Sequence, residues 1–226
     1  MNGYDYEIFL ILIIIFVPLL SQLSINSNYK KYSKIKNNRN ITGYEVAKKI
    51  LYANDIAHVK VNKTYGFLSD HYNPRTKQIN LSEDIYESTS IAAIAVAAHE
   101  CGHAIQDKVS YTMLRVRSSL VPIVNISSKL SYILVLMGFL ASSLNLINLG
   151  IIFMVGVLVF QLVTLPVEFN ASSRAMKELE KLGLVSSSDK KGVRKVLKAA
   201  ALTYVASVIA TIAQMARLLL LNRNRR

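Results

Sequence analysis

Long apolar stretches alternate with shorter polar segments along this sequence. Residues 7–25, 121–144 and 149–165 are each apolar enough and long enough to form a transmembrane helix. Residues 145–150, between the second and third stretches, carry no charge, which indicates a hairpin loop whose tip faces outside. Residues 199–221 form a fourth apolar stretch. This pattern predicts a mainly α-helical integral membrane protein.

The fourth apolar stretch has two interpretations. If residues 199–221 cross the membrane, Arg223, Arg225 and Arg226 are placed outside, against the rule that basic residues stay on the cytoplasmic side. Gln214 and Arg217 also make the stretch less suited to the bilayer interior. The alternative is a helix that packs against the catalytic part or lies along the membrane interface, with its arginines kept in the cytoplasm.

Basic residues are concentrated at the ends of the apolar stretches. The 226-residue chain has 27 Lys and Arg against 14 Asp and Glu, a net charge of +13. Five basic residues lie within residues 30–39, directly after the first stretch, and none precedes it. This distribution places the N-terminus outside and the segment from residue 30 in the cytoplasm. Because no nucleic-acid-binding motif is present, the charge indicates a lipid bilayer as partner and not nucleic acid.

The polar segment before residue 88 predicts a helix and a small β element. Thr42 and Glu45 form the pattern of a capping box, which opens an amphipathic helix. Residues 58–63 and 75–82 alternate between apolar and polar side chains, as strands do. Residues 68–74 contain Asp, Asn and Pro, which favours a turn between the two strands.

Residues 88–106 predict a buried helix that carries one polar cluster, His-Glu-Cys-Gly-His. His99 and His103 are four residues apart, so their imidazoles lie on the same helix face and can bind one metal ion. Glu100 lies beside them, where it can exchange protons with a water at the metal. Burying three such groups without a partner is costly, so we predict one zinc ion per chain.

A third metal ligand has to come from elsewhere in the chain. The motif in which another histidine follows six residues after His103 is absent, since Val109 occupies that position. Glu168 follows the third apolar stretch, whose return to the cytoplasmic side brings it back towards the site helix. We predict that Glu168 completes a His, His, Glu site and leaves a fourth position for water. Asp107 is a weaker alternative.

Three further side chains are candidates for contact with the metal, the substrate or the transition state. His71 precedes the strand that leads into the site helix, and Tyr204 and Arg174 can donate hydrogen bonds to an oxyanion. We also expect an extended peptide to pair with the strand at residues 77–81.

Three segments of the sequence together resemble a known family. They are His-Glu-Cys-Gly-His with the Ala-rich residues before it, Ser-Asp-His-Tyr-Asn-Pro-Arg at 69–75, and Leu-Pro-Val-Glu-Phe-Asn-Ala-Ser at 165–172. The sequence resembles the YugP-type neutral zinc metallopeptidases of bacterial membranes over about residues 65–204. More distantly it is similar to the HtpX-like and CAAX-processing membrane peptidases. These resemblances imply zinc ligands at His99, His103 and Glu168, with Glu100 as general base.

The sequence departs from that family at positions near the site. Asp is usual in the closer family where Asn73 and Asn170 stand, and the wider group often has Asp in place of Ser172. A carboxylate at such a position orients a ligand histidine through its second ring nitrogen. Asn170 can still form a hydrogen bond, so we expect zinc to bind with Asn170 supporting a ligand.

The expected protein is a membrane-embedded zinc metalloendopeptidase of the bacterial cell membrane, with its active site at the cytoplasmic face and a protein or peptide substrate. Four parts are predicted: an anchor at 1–28, a catalytic part at 29–118, a transmembrane hairpin at 119–166, and a third-ligand helix with the C-terminal apolar helix at 167–226. In this arrangement the hairpin joins the HExxH helix to the Glu-bearing helix. The alternatives are a non-proteolytic membrane zinc hydrolase and an inactive binding or assembly protein that retains the motif.

Overall fold

The computed structural model describes residues 3–66 and 68–223, so Arg225 and Arg226 lie outside the described residues. The fold is mainly helical, as the sequence predicts, with a small sheet. The elements are α1 (Gly3–Tyr32), α2 (Gly43–Ala53), β1 (Lys60–Thr64), β2 (His71–Asn73), β3 (Gln78–Ser82), α3 (Glu83–Tyr86), α4 (Ile91–Lys108), α5 (Thr112–Leu140), α6 (Leu144–Lys181) and α7 (Lys190–Arg223).

Four helices within the described ranges, α1, α5, α6 and α7, are long and apolar enough to cross a membrane by length and composition. α1, α6 and α7 contain the first, third and fourth apolar stretches predicted from the sequence, and α5 contains the second as far as Leu140. The helices extend well beyond those stretches, because α1 continues to Tyr32 and α6 continues to Lys181. Pro166 lies inside α6, which continues beyond it to Lys181.

The turn between α5 and α6 is shorter and earlier than predicted. The uncharged loop expected at residues 145–150 is helical, and the chain reverses at residues 141–143, where Ser142 has a left-handed backbone with φ of 51°. Gly150 serves close helix packing and not the turn, since a Cβ there would lie 2.6 Å from the side chain of Val135. The Ser131 hydroxyl donates to the Gly150 carbonyl at 3.1 Å and fixes this approach.

The described chain divides into two compact units. The first comprises Met1–Gln22, Arg115–Pro166 and Leu202–Arg226, and the second comprises Leu23–Leu114 and Val167–Ala201. The first unit therefore contains the apolar parts of the four long helices. The second contains the sheet, the helices α2 to α4 and the ends of the long helices. The predicted division at residues 28, 118 and 166 stays a prediction.

The sheet in the second unit corrects two expectations. Its order within the described residues is β1-β3-β2, with β1 parallel and β2 antiparallel to the central β3. Both edges of β3 are therefore occupied, and the expected pairing of a peptide with residues 77–81 is wrong. The predicted turn at residues 68–74 is also wrong in part, because His71–Asn73 forms β2. A strand of three residues is too short to show an alternating pattern in the sequence.

The core of the second unit is built around α4, which is buried along most of its length. Its alanines allow neighbouring elements to approach closely, and α2 packs along it. The predicted capping box opens α2, where Glu45 N–H donates to Thr42 Oγ1 and Thr42 N–H donates to Glu45 Oε2 at 2.7 Å. The hydroxyl of Ser90 caps α4 by accepting from Ala93 N–H at 3.1 Å. These caps set where the helix that carries the polar cluster begins.

Candidate metal centre

The helix α4 presents the two histidines of the cluster on one face. His99 and His103 are one turn apart, and their rings meet edge to face with centroids 4.8 Å apart and an interplanar angle of 85°. Their side chains are 15% and 10% exposed, so both are shielded but still reachable from one side. The spacing predicted from the sequence is therefore realised in the helix.

The helix α6 supplies the third group. Oε2 of Glu168 lies 3.2 Å from Nε2 of His99 and 3.6 Å from Nε2 of His103. Glu168 is 3% exposed, and the three side chains form a group that can hold a metal ion, with ligand atoms all within 4.8 Å of one another. Asp107, the alternative from the sequence, is not part of this group. Its carboxylate accepts from the Tyr72 hydroxyl at 2.5 Å and pairs with Lys77.

The other nitrogen of each histidine is occupied by a neutral group. Nδ1 of His99 lies 3.2 Å from the hydroxyl of Ser172, and Nδ1 of His103 lies 3.0 Å from the amide oxygen of Gln106. An amide oxygen can only accept, so the proton of His103 is on Nδ1. The lone pair of its Nε2 then points to Glu168 and is available for a metal.

Two of the distances between the candidate ligand atoms fit zinc. Ligand atoms bound at about 2.0–2.1 Å in a tetrahedral arrangement lie roughly 3.3 Å apart. The two distances to Glu168 Oε2, 3.2 and 3.6 Å, bracket that spacing. Two imidazoles and one carboxylate leave the fourth tetrahedral position open, which is the arrangement of catalytic and not structural zinc sites.

Glu100 lies beside the group and is buried. Burial raises the pKa of its carboxyl to about 7, and the negative charges of Glu168 and Asp70 act in the same direction. The charge of His99 and a backbone hydrogen bond from Tyr72 lower the pKa in part. Tyr72 belongs to β2, so this short strand borders the carboxylate predicted to act as general base.

A chain of amide contacts connects the two ligand-bearing helices. Gln106 is fully buried, and its amide nitrogen donates to the Val167 carbonyl at 2.8 Å and to Asn170 Oδ1 at 3.1 Å. Arg174 Nε donates to the same Asn170 oxygen at 2.7 Å. Asn170 therefore contacts Gln106, which contacts His103, so its support of a ligand is indirect.

We expect Gln106→Leu to lower zinc affinity about 10- to 100-fold, because His103 loses the acceptor that fixes its orientation. The measurement is a competition titration with a zinc chelator on detergent-purified protein. Gln78→Leu on β3 is the matched control and should leave affinity unchanged. Equal affinities for wild type and Gln106→Leu would contradict the assigned role of the amide.

Gly102 allows α4 and α6 to approach at the level of the site. A Cβ at this position would lie 2.4 Å from the carbonyl oxygen of Ala171, which is too close for any side chain. Since Ala171 lies one turn from Glu168 on α6, this approach keeps the carboxylate beside the histidines. Gly102 is buried in α4. Glycine is needed at this position because a side chain would not fit, and not because the backbone adopts a conformation that only glycine favours.

We expect Gly102→Ala to lower the free energy of unfolding by about 1–3 kcal/mol and to weaken zinc binding, because the added methyl group forces the helices apart. Gly156→Ala is the control, since its nearest neighbour atom would lie 3.7 Å away and alanine favours a helix. The thermal midpoint in detergent and the zinc affinity should fall for the first variant and not for the second. A larger loss of stability and zinc affinity in Gly156→Ala than in Gly102→Ala would contradict the close approach of α4 and α6 at Gly102.

His71 and Tyr204, two further residues predicted from the sequence to contact the substrate or the transition state, are not part of the metal-binding group. His71 lies on β2, where its Nδ1 is 2.8 Å from the Ser69 carbonyl and its Nε2 is 3.1 Å from the Asn80 amide. Tyr204 belongs to the first unit, so a role for it at the site stays a prediction.

Sequence reasoning missed two residues of the site, Gln106 and Tyr72. Gln106 could have been found, because it lies one turn after His103 in an otherwise apolar helix, where a buried amide needs partners. The backbone of Tyr72 gives no sequence signal, since any residue carries an N–H. Ser172 was noted only as a departure from the family, and it contacts His99 directly.

Comparison with known proteins agrees with this geometry. The model of a family described as "Putative neutral zinc metallopeptidase" matches residues 7–223. A relative from Bacillus subtilis (strain 168), named "Putative membrane protease YugP", is 43% identical over 219 residues, which cover 97% of this chain and 97% of the relative. No solved structure matches the chain.

Proposed function

Since the chain belongs to the family described as "Putative neutral zinc metallopeptidase", we propose that it is a membrane-embedded zinc endopeptidase. One observation carries the proposal. The ligand atoms of His99, His103 and Glu168 lie within 4.8 Å of one another, with Glu168 Oε2 at 3.2 and 3.6 Å from the two Nε2 atoms, and Glu100 lies beside them. We assign one zinc ion per chain to these three ligands.

Zinc in a three-ligand site acts as a Lewis acid towards water and towards a carbonyl group. The contribution of the chain is to place and move protons. Glu100 takes a proton from the attacking water and delivers it to the nitrogen that leaves when the peptide bond breaks. Gln106 and Ser172 hold the two imidazoles in the orientation that presents their Nε2 atoms.

The proposed substrate is a protein or peptide associated with the membrane. His71 and Arg174 stay proposed contacts to it. Arg174 uses Nε for Asn170, which leaves its terminal guanidinium nitrogens as donors to a carbonyl or a developing oxyanion. Tyr204 is retained as a further proposed donor.

We place α1, α5, α6 and α7 across the bacterial cell membrane, with α5 and α6 as a hairpin whose second helix also carries Glu168. A spanning α7 puts Arg223 outside, against the charge rule, and we place it across the membrane because it lines one cavity together with the other three helices. The site then faces the cytoplasm. The support is the charge distribution, because five basic residues follow the first apolar stretch within residues 30–39.

A cysteine accessibility experiment tests this orientation. In a Cys101→Ala background, Lys34→Cys introduces a thiol at an exposed position after the first span. We expect a membrane-impermeant maleimide to label this thiol only after the cells are opened. Labelling of Lys34→Cys at the same rate in intact cells would contradict the proposed orientation and place this segment outside.

The peptidase activity is tested with purified, zinc-loaded protein in detergent and a library of internally quenched soluble peptides. We expect cleavage that stops when a chelator removes zinc and returns when zinc is restored. Mass spectrometry of the products should find new amino and carboxyl termini. Protein that holds one zinc per chain and cleaves no peptide bond would overturn the proposed peptidase and favour a non-proteolytic zinc hydrolase.

A further inference from the structure

A cavity with several polar side chains in a mainly apolar lining lies inside the first unit. Its volume is about 450 Å³, and α1, α5, α6 and α7 all line it. Its polar lining consists of uncharged side chains: Ser128, Ser131, Tyr132, Gln161, Thr211 and Gln214. The cavity is far larger than a single bound water requires.

The cavity is at the depth of the bilayer centre if the four helices span the membrane. Tyr132, Val157 and Ala210 line it, and they are the central residues of the apolar stretches 121–144, 149–165 and 199–221. Ile14 lines it from α1, two residues from the centre of the first stretch. Phospholipid headgroups lie about 15 Å from this depth, since the hydrocarbon core is about 30 Å thick.

Part of the lining needs a hydrogen-bond partner. Ser131 is satisfied, because its hydroxyl donates to the Gly150 carbonyl. Oε1 of Gln161 is buried and has no hydrogen-bond partner among residues 3–66 and 68–223. An unsatisfied amide at the bilayer centre is costly, because neither lipid tails nor bulk water can replace the bond.

The cavity opens towards the outer surface of the helix group. Tyr132 lines it and is 80% exposed. Asn125 and Lys129 are exposed on the same side of α5, seven and three residues before Tyr132. Polar groups that face lipid inside a membrane segment commonly mark a place where another polar group binds. Tyr132 therefore marks the side on which a membrane segment would reach the cavity.

We propose that this cavity binds the membrane-spanning segment of a substrate through an uncharged polar side chain near the centre of that segment. The proposal rests on the proposed function, since it names the substrate class of the same peptidase. An Asn, Gln, Ser or Thr of the substrate segment enters between α5, α6 and α7 and donates to Gln161 Oε1. Gln214 and Thr211 offer further partners on α7.

The chemistry of the lining favours this occupant over a lipid. An acyl chain has no donor for the amide oxygen, and a headgroup would have to move about 15 Å into the hydrocarbon core to reach this depth. A transmembrane helix can present a polar side chain at its centre, and interhelical hydrogen bonds of this kind stabilise helix association. The proposed cavity thus selects membrane segments with a central polar residue over uniformly apolar ones.

The test uses the full chain with Glu100→Gln, so that binding is measured without cleavage. It is reconstituted into phospholipid vesicles with a single-span reporter whose Leu/Ala segment carries either Asn or Leu at its centre. Benzoylphenylalanine replaces Tyr132 and forms cross-links on illumination. We expect the Asn reporter to cross-link about 3- to 10-fold more than the Leu reporter.

The preference should disappear when Gln161 and Gln214 are both changed to Leu. It should persist in Gln22→Leu, the same chemical change on an exposed part of α1 outside the cavity lining. Equal cross-linking of the two reporters would overturn the proposal, and this comparison leaves Gln161 and Gln214 unchanged. Cross-links between copies of the chain in place of the reporter would also overturn it.

The peptidase proposal and the cavity proposal can be contradicted independently of each other. If wild-type protein cleaves no soluble peptide but the reporter preference is present, the cavity binds membrane segments and the peptidase assignment fails. If soluble peptides are cleaved and both reporters cross-link equally, the peptidase stands and the cavity proposal falls.

Discussion

Replacing Glu100 by glutamine is expected to reduce peptide cleavage by about 10²- to 10⁴-fold, the usual contribution of a general base. Glutamine has almost the same shape and can still accept a hydrogen bond from the Tyr72 backbone, but it cannot take a proton from water. Since Glu100 is not one of the three converging ligands, zinc content should stay at about one per chain. The variant therefore separates proton transfer from metal binding.

Cleavage rates and zinc content should be measured on the same preparations. Glu83→Gln is the matched control, because Glu83 is exposed on α3 and is not part of the metal-binding group. It should behave like wild type in both assays. Full activity in Glu100→Gln would exclude Glu100 as the base. Loss of zinc from this variant would instead assign Glu100 a part in holding the metal.

The group of residues that can hold a metal was predictable because most of it is local. His99, Glu100 and His103 lie within five residues of one helix, so the helical repeat alone fixes their common face. Ser90 as the cap and the apolar residues that follow it fix where that helix begins. Periodicity and capping residues are strong sequence signals, and they identified the helix and its polar cluster together.

The third ligand was less securely predictable, because it comes from 65 residues further along the chain. Glu168 and Asp107 are both carboxylates after an apolar run, and the sequence does not give the distance of either from His103. In the structure, packing distinguishes the two carboxylates, because only Glu168 lies beside the histidines. Gly102 lets α6 approach α4 beside Glu168, while Asp107 is engaged by Tyr72 and Lys77.

Features that depend on packing between distant segments were not predictable. The α5–α6 turn was placed at residues 145–150 because Asn and Gly favour loops, yet Gly150 is needed for the approach of Val135. The cavity of the first unit also depends on packing. Gln161 and Gln214 are 53 residues apart, and only the arrangement of the helices brings both into one lining.

Asn73 and Asn170, where the resemblance leads us to expect Asp, both have hydrogen-bond partners close by in the structure. Asn73 accepts hydrogen bonds from the backbone of Arg75 and Thr76, so it shapes the turn after β2. Asn170 binds Gln106 and Arg174, and neither of its contacts is a ligand histidine. The histidines are held by the amide of Gln106 and the hydroxyl of Ser172. The site therefore orients its ligands with neutral groups at both imidazoles.

Zinc binding should distinguish the two carboxylates that the sequence left in competition. We expect Glu168→Ala to weaken zinc binding by about 100-fold or more, since each protein ligand contributes roughly 3 kcal/mol to a zinc site. His103→Ala should show a loss of similar size, because it removes a second member of the same group. Asp107→Ala should retain zinc, as its carboxylate lies outside that group.

The measurement is zinc content by mass spectrometry after dialysis against a chelator of known affinity, with folding checked by circular dichroism. About one zinc per chain in wild type and Asp107→Ala, with little in Glu168→Ala and His103→Ala, is the expected pattern. Loss of zinc from Asp107→Ala with retention in Glu168→Ala would reassign the third ligand. Because Tyr72 and Lys77 already bind Asp107, that outcome would require β2 to move away from α4 when the metal enters.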